Sequence, residues 1–243
     1  MITRFEGFDQ QLLFNKIQDK KILVCGSGPS LRRVNLDLLD YDYIITCNNF
    51  FKYDPLFNND KIIFTTICPV CKFDHVKFKN YLSTHEDLFI GSEENNNPLY
   101  NQKGFLRLKQ SNIHRYVNFW TEHHKVGPCV GIGGRLLYFA LHFKPSTLYF
   151  AGIDGCSPNV SDDPINTFRP EIGQLHTAST SKSCSNYKTL QHSHLSMCEV
   201  IHKKSQEINC KLFNLGEGLN YNISSSYSSK HFPLTDDIKK TFL

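Results

Sequence analysis

The chain has 243 residues, 40% of them hydrophobic and 13% aromatic, which is material for one well-filled globular domain spanning residues 1–243. Its formal charge of +4 is scattered over short pairs such as Lys20-Lys21, Arg32-Arg33, Lys203-Lys204 and Lys239-Lys240. That accommodates an anionic ligand and excludes the dense basic stripe of a nucleic-acid binder.

Residues 8–18 place Leu12, Leu13, Phe14 and Ile17 at helical spacing. "KILVCG" predicts the first strand, running into a glycine-rich turn, and "SLRRVNLDLLD" predicts a short helix with Ser30 near its start. "YDYIITCNN" and "DKIIFTTI" read as strands two and three; "HVKFKNYLSTHED" reads as a helix leading to the strand "LFIGS". From 93 to 125 the pattern is irregular, with Asn-rich turns near its beginning. "GPCVGIGGRLLYFALHF" is a helix entered through a Gly-Pro turn, and "STLYFAGID" a buried strand ending at Asp154. Residues 155–187 are rich in Ser, Pro, Asn and Asp, a loop of the length that is usually functional or disordered. "LQHSHLSMCEVIHKKSQEI" is an amphipathic helix, "CKLFNLG" the last clear strand, and the remainder a coil and short tail. Strands alternating with helices predict an α/β fold with a mostly parallel, Rossmann-like sheet flanked by helices.

The N-terminal stretch lacks the apolar centre and small-residue cleavage site of a signal peptide, and no run approaches the roughly eighteen apolar residues of a spanning helix. The expected location is cytoplasmic, with peripheral membrane contact and self-association left open. Nine cysteines without a secretory signal point to reduced thiols, and Cys25, Cys47 and Cys210 lie inside apolar runs. "CPVC" (Cys68 to Cys71) has metal-type spacing, but no second ligand pair completes a site, so no metal centre is expected.

The turn "GSGPSL" is neither of the two familiar nucleotide loops. Leu31 stands where a dinucleotide fingerprint needs its third glycine, and no Gly-Lys-Ser/Thr ending makes a P-loop. What remains is a pair of glycines that let amides approach a ligand, with the Ser27 and Ser30 hydroxyls beside them. An ordinary tight turn would look the same. Asn48 and Asn49 end strand two, at the sheet edge where ligands sit, though an Asx turn closing the strand is an equal reading. The helix after "GPCVG" would aim its N-terminal amides at the same edge, and Asp154 arrives there too.

Taken in order, "GSGPSL", "TCNNFF", a Gly-entered helix, "LYFAGID" and a His-bearing helix resemble the bacterial lipooligosaccharide sialyltransferases of glycosyltransferase family 42, over roughly Lys21 to Leu219. The resemblance implies a single nucleotide-binding domain of a GT-A variant fold with a mobile lid, here 155–187, and an acceptor side at 93–125. It implies an inverting, metal-independent transfer of a sialic acid or a related 2-keto sugar acid from a CMP-activated donor to a glycan or glycolipid hydroxyl, with no cofactor besides the donor. It implies His192 as the catalytic base, with His194 as the alternative, and a nucleotide site of Gly26, Ser27, Gly28, Ser30, Asn48, Val130 and Gly131, to which their place at the sheet edge adds Asn49 and Asp154. Three departures stand out. Ser27 replaces the family's asparagine, Lys125 is the nearest cation ahead of the Gly-entered helix, and Gly155-Cys156 follow Asp154 where the family has its lid tyrosines. Arg169, His176, Lys182 and Tyr187 are the candidates for steadying the departing phosphate in their place. Two other readings stay open: a pterin-type pyrophosphokinase, which shares a GxGPSL loop, and a non-catalytic nucleotide-sugar-binding homologue.

Overall fold

A computed structural model describes residues 8–66, 74–85, 87–92, 115–118, 131–154, 187–216 and 235–240. Helix α1 (Phe8–Ile17) leads into strand β1 (Lys21–Cys25), followed by β2 (Tyr43–Cys47), the short α2 (Asp54–Phe57) and β3 (Ile62–Thr66). Next come α3 (His75–Thr84), β4 (Phe89–Ser92), β5 (Arg115–Asn118) and α4 (Gly131–His142), then β6 (Thr147–Ala151), α5 (Tyr187–Glu207), β7 (Lys211–Asn214) and α6 (Asp236–Lys239). The seven strands form one sheet in the order β5-β4-β3-β2-β1-β6-β7. Every pairing is parallel.

That order decides where a ligand can sit. The chain lays down β1 to β5 in one direction, then returns to the other side of β1 with β6 and β7. The winding therefore reverses between β1 and β6, and the loops leaving the carboxyl ends of those two strands diverge around a crevice. β1 and β6 pair in register over five residues, from Lys21 with Thr147 to Cys25 with Ala151.

The strands are continuous apolar runs because both faces of a parallel sheet are covered. All five residues of β3 and of β6 are buried. Helix α4 is apolar nearly all round: Leu136, Leu137, Phe139, Ala140 and Leu141 are buried. A helix of that character belongs inside. It lies between the sheet, where it packs on β1, β2 and β6, and α5. Phe139 reaches Phe64 of β3 with ring centres 4.6 Å apart. Beyond β2, Phe50, Phe51, Phe78 and Tyr81 pack as a cluster of edge-to-face and tilted rings. Asp74 caps α3 by accepting the Lys77 N–H at 2.9 Å.

The predicted helix "SLRRVNLDLLD" is instead a 3-10 turn over Pro29–Arg33 followed by irregular chain. Pro29 starts the turn, but the Asn35 side chain accepts the Asp37 N–H at 3.1 Å, an Asx turn that diverts the backbone. Within 93–125 the structure places β5, which pairs along β4 as an edge strand. The C-terminal tail, expected as coil, includes the four-residue α6, whose Ile238 is buried. Cys25, Cys47, Cys198 and Cys210 are buried thiols that form no disulfide. "CPVC" lies outside the described residues. Among the described residues no helix is long and apolar enough to cross a membrane.

Candidate functional site

The turn after β1 and the segment after β6 meet at the switch point, and the main chain itself joins them. The strand pairing continues past both strand ends: the Gly26 N–H donates to Ala151 O and the Gly28 N–H to Gly152 O, each at 2.8 Å. Gly152 answers by donating its own N–H to Ser30 Oγ at 2.6 Å. The Ser30 N–H then donates to Asp154 Oδ2 at 2.9 Å. Four hydrogen bonds therefore tie residues 26–30 to residues 151–154.

The glycines follow from this closeness. A β-carbon on Gly26 would stand 2.3 Å from Gly152 O, and one on Gly28 would stand 2.4 Å from Asp154 Oδ2. Gly152 adopts a φ of +70°, and its β-carbon would meet Gly26 O at 2.3 Å. The reason expected from the sequence, room for a ligand beside Gly28, is replaced by a nearer one. The space next to Gly28 belongs to the Asp154 carboxylate.

Asp154 is 3% exposed. Burial pushes its carboxyl up from the ordinary 3.8 to about 6, against the opposing hydrogen bonds from Ser30 and the charge of Arg33. Its second oxygen, Oδ1, is shut off from solvent and meets no hydrogen-bond partner among the described residues.

Further along the same edge, Thr46 Oγ1 donates to Cys25 O at 3.1 Å, satisfying a carbonyl at the end of β1. Asn48 follows β2 at a φ of +54°, a conformation asparagine tolerates better than most residues, and its N–H donates to Thr66 O at 2.7 Å. Asn49 is fully buried between β2 and the 3-10 turn Phe50–Lys52. The two asparagines thus sit at the carboxyl edge as expected. Ser27 is half-buried in the β1 turn.

Gly131 is the first residue of α4. A β-carbon on Gly133 would lie 2.9 Å from Ile153 Cγ1, so the first turn of α4 packs directly against the segment leading to Asp154. The amides at this helix start therefore belong to the same crevice.

His192 lies in the second turn of α5, exposed to solvent, and no hydrogen bond or ion pair holds it among the described residues. Its level follows from the connection below it. Only residues 208–210 join α5 to β7, with Asn209 at a φ of +56° turning the chain back sharply. α5 therefore runs antiparallel to the strands, and its start faces the carboxyl edge. His192 stands about 22 Å along the axis from Glu207. β7 climbs only about 13 Å over its four residues, so the histidine stands beyond the level of the carboxyl ends of the strands. His194 belongs to the same helix. Val130, Arg169, His176 and Lys182, and most of the 155–187 and 93–125 segments, lie outside the described residues; Tyr187 is the first residue of α5.

Sequence reasoning missed Gly152, whose φ and contact with Gly26 make it as constrained as the two glycines it singled out. The signal was its place between a buried strand and an aspartate, where "AGID" echoes "CGSG" on the neighbouring strand. It also missed the Ser30–Asp154 pairing, which spans 124 residues.

No family model and no curated protein matches the chain. Solved structures do. The monofunctional alpha-2,3-sialyltransferase Cst-I from Campylobacter jejuni superposes with a TM-score of 0.53 at 16% identity, covering 90% of this chain and 81% of its own. The chain has the fold of these sialyltransferases. CstII from the same organism, in complex with the substrate analogue CMP-3FNeuAc, gives 0.51 at 15% identity over 90% of this chain and 87% of its own. CST-II in complex with a trisaccharide acceptor and CMP gives 0.50 at 15% identity over 92% and 89%.

Proposed function

We propose that this chain is a glycosyltransferase of the family 42 type, transferring a sialic acid or related 2-keto sugar acid from a CMP-activated donor to a glycan hydroxyl. The observation that supports the reading is the site's position: a glycine-built turn and the first turn of α4 meet at the switch point of a fold whose solved examples hold CMP and a trisaccharide acceptor. In this reading the edge formed by Gly26, Ser27, Gly28, Ser30, Asn48, Asn49 and Asp154 seats the cytidine nucleotide. The start of α4, at Val130 and Gly131, faces its phosphate, because a helix N-terminus favours an anion.

His192 acts as general base. Its imidazole takes the proton of the acceptor hydroxyl while that oxygen attacks the anomeric carbon from the face opposite the nucleotide. The new C–O bond forms as the bond to CMP breaks, CMP leaves with the electron pair, and the configuration inverts. CMP departs as one phosphate, so backbone amides and a single cation among Arg169, His176 and Lys182, with Tyr187, suffice to receive the charge without a metal.

The test is calorimetric titration with CMP, CDP, UDP and ATP, with and without magnesium, followed by a transfer assay with CMP-sialic acid. Metal-independent binding of CMP with transfer to a glycan is the expected result. Binding of ATP only with magnesium would replace this reading with the pyrophosphokinase, and CMP binding without transfer would replace it with a non-catalytic homologue.

A further inference from the structure

The hydrogen bonds joining residues 26–30 to 151–154 could all be made by neutral groups, yet one of them is made by a carboxyl. Asp154 is the costliest kind of side chain to place where almost no solvent reaches. Its Oδ2 is committed to the Ser30 N–H, its Oδ1 has no partner among the described residues, and the residue is buried. The carboxyl therefore influences the crevice through the turn it holds.

Among the described residues, few charges lie near enough to set its state. The turn after β1 brings Arg33, which favours the ionised form. β1 and β2 end in the buried thiols of Cys25 and Cys47, and burial pushes the Cys25 thiol up, so it stays neutral. α4 approaches Ile153 through Gly133, with Arg135 two residues further along.

We infer that Asp154 is a positioning residue whose ionisation tightens the turn Gly26–Ser30 and with it the seat of the donor nucleotide. The ionised oxygen accepts from Ser30 as a charge-assisted bond, and the protonated carboxyl accepts more weakly. Burial places the change near pH 6, within reach of ordinary assay conditions. Ionisation of a buried carboxyl also opposes folding, so nucleotide affinity rises with pH over a range in which this group's contribution to stability falls. A carboxyl that merely held the fold together would move both in the same direction.

This inference rests on the nucleotide-binding reading, and two measurements separate them. The first is amide hydrogen-exchange protection at Ser30 and Gly152, followed by NMR from pH 5 to 7.5 and corrected for intrinsic exchange. Protection should rise about five- to tenfold in the native protein, the difference between a charged and a neutral hydrogen bond. It should stay flat in Asp154→Asn and rise less in Ser30→Ala, which keeps the amide bond and loses the hydroxyl. Flat protection in the native protein alone overturns the inference, whether or not either variant folds. The second is titration with the methyl phosphodiester of CMP, whose charge is constant over that range. Its Kd should fall by a similar factor in the native protein and not in Asp154→Asn. A pH-independent Kd overturns the positioning role. Rising protection with no binding at any pH leaves the turn's tightening standing and overturns the nucleotide reading.

Discussion

The two halves of the candidate site are built in opposite ways. The turn after β1 is held by a closed set of contacts: two main-chain hydrogen bonds and two more through Ser30 Oγ and Asp154 Oδ2 tie it to the segment after β6, and no β-carbon fits at Gly26, Gly28 or Gly152. His192 stands exposed on the second turn of α5, with no partner among the described residues. The contrast teaches a division of labour. In the proposed reading, the part that would seat the nucleotide is pre-formed, so little ordering is needed on binding. The part that would take the proton stands open, as general bases often do in unliganded enzymes.

The harshest way to break this contrast is to attack the pre-formed half. Gly28→Val drives a branched side chain into Asp154 Oδ2 and should abolish CMP binding, with a loss of about 3 kcal/mol or more in urea unfolding. Intact CMP affinity in that variant would show that the turn is not the nucleotide's seat.

Next comes the linkage between Asp154 and pH. Its folded pKa of about 6 lies above the ordinary 3.8, so the protonated group favours the fold. That contribution is fully present below pH 4 and lost as pH rises through 6, by about 3 kcal/mol for a group buried this deeply. Unfolding curves at pH 4.5 and 7.5 should show about 2 kcal/mol of this as a difference between the native protein and Asp154→Asn, the rest being lost already by pH 4.5. Parallel pH dependences would mean the carboxyl is not perturbed.

The open half should respond differently. His192→Ala is expected to lower turnover on the order of 10²-fold, about 2.7 kcal/mol in the barrier, with CMP affinity and melting temperature unchanged. If turnover persists, the proton goes elsewhere, and His194 is the first residue to try. The smallest effect belongs to Ser30→Ala, which leaves the Gly152 N–H without its acceptor and should cost about 1–2 kcal/mol of stability.

Much of the frame was legible because its elements are local. β1, β2, β3 and β6 are mostly apolar runs ending in turn residues, and α4 is apolar nearly all round, so their places follow from burial alone. The 3-10 turn at Pro29–Arg33 was read as a helix because Leu31, Val34 and Leu36 are all buried, and burial by itself does not separate a helix from a chain pinned by an Asx turn. β5 escaped notice inside an irregular stretch because an edge strand of four residues carries too short a pattern. At the site, Gly26 and Gly28 were found for their type, but the true reason for them lies on another strand. No local pattern tells Ser30 that it will meet Asp154.

The turn built from backbone amides has a consequence for how such a protein can change over time. Groups supplied by the main chain are indifferent to which side chains surround them. In this part of the fold, the few positions where the two segments touch, Gly26, Gly28 and Gly152, together with Ser30 and Asp154, commit the sequence to particular residues. In the core around them, side chains that fill the same volume can be exchanged. Vocabulary can therefore drift while grammar persists, and two chains sharing about 15% of their residues can keep one architecture.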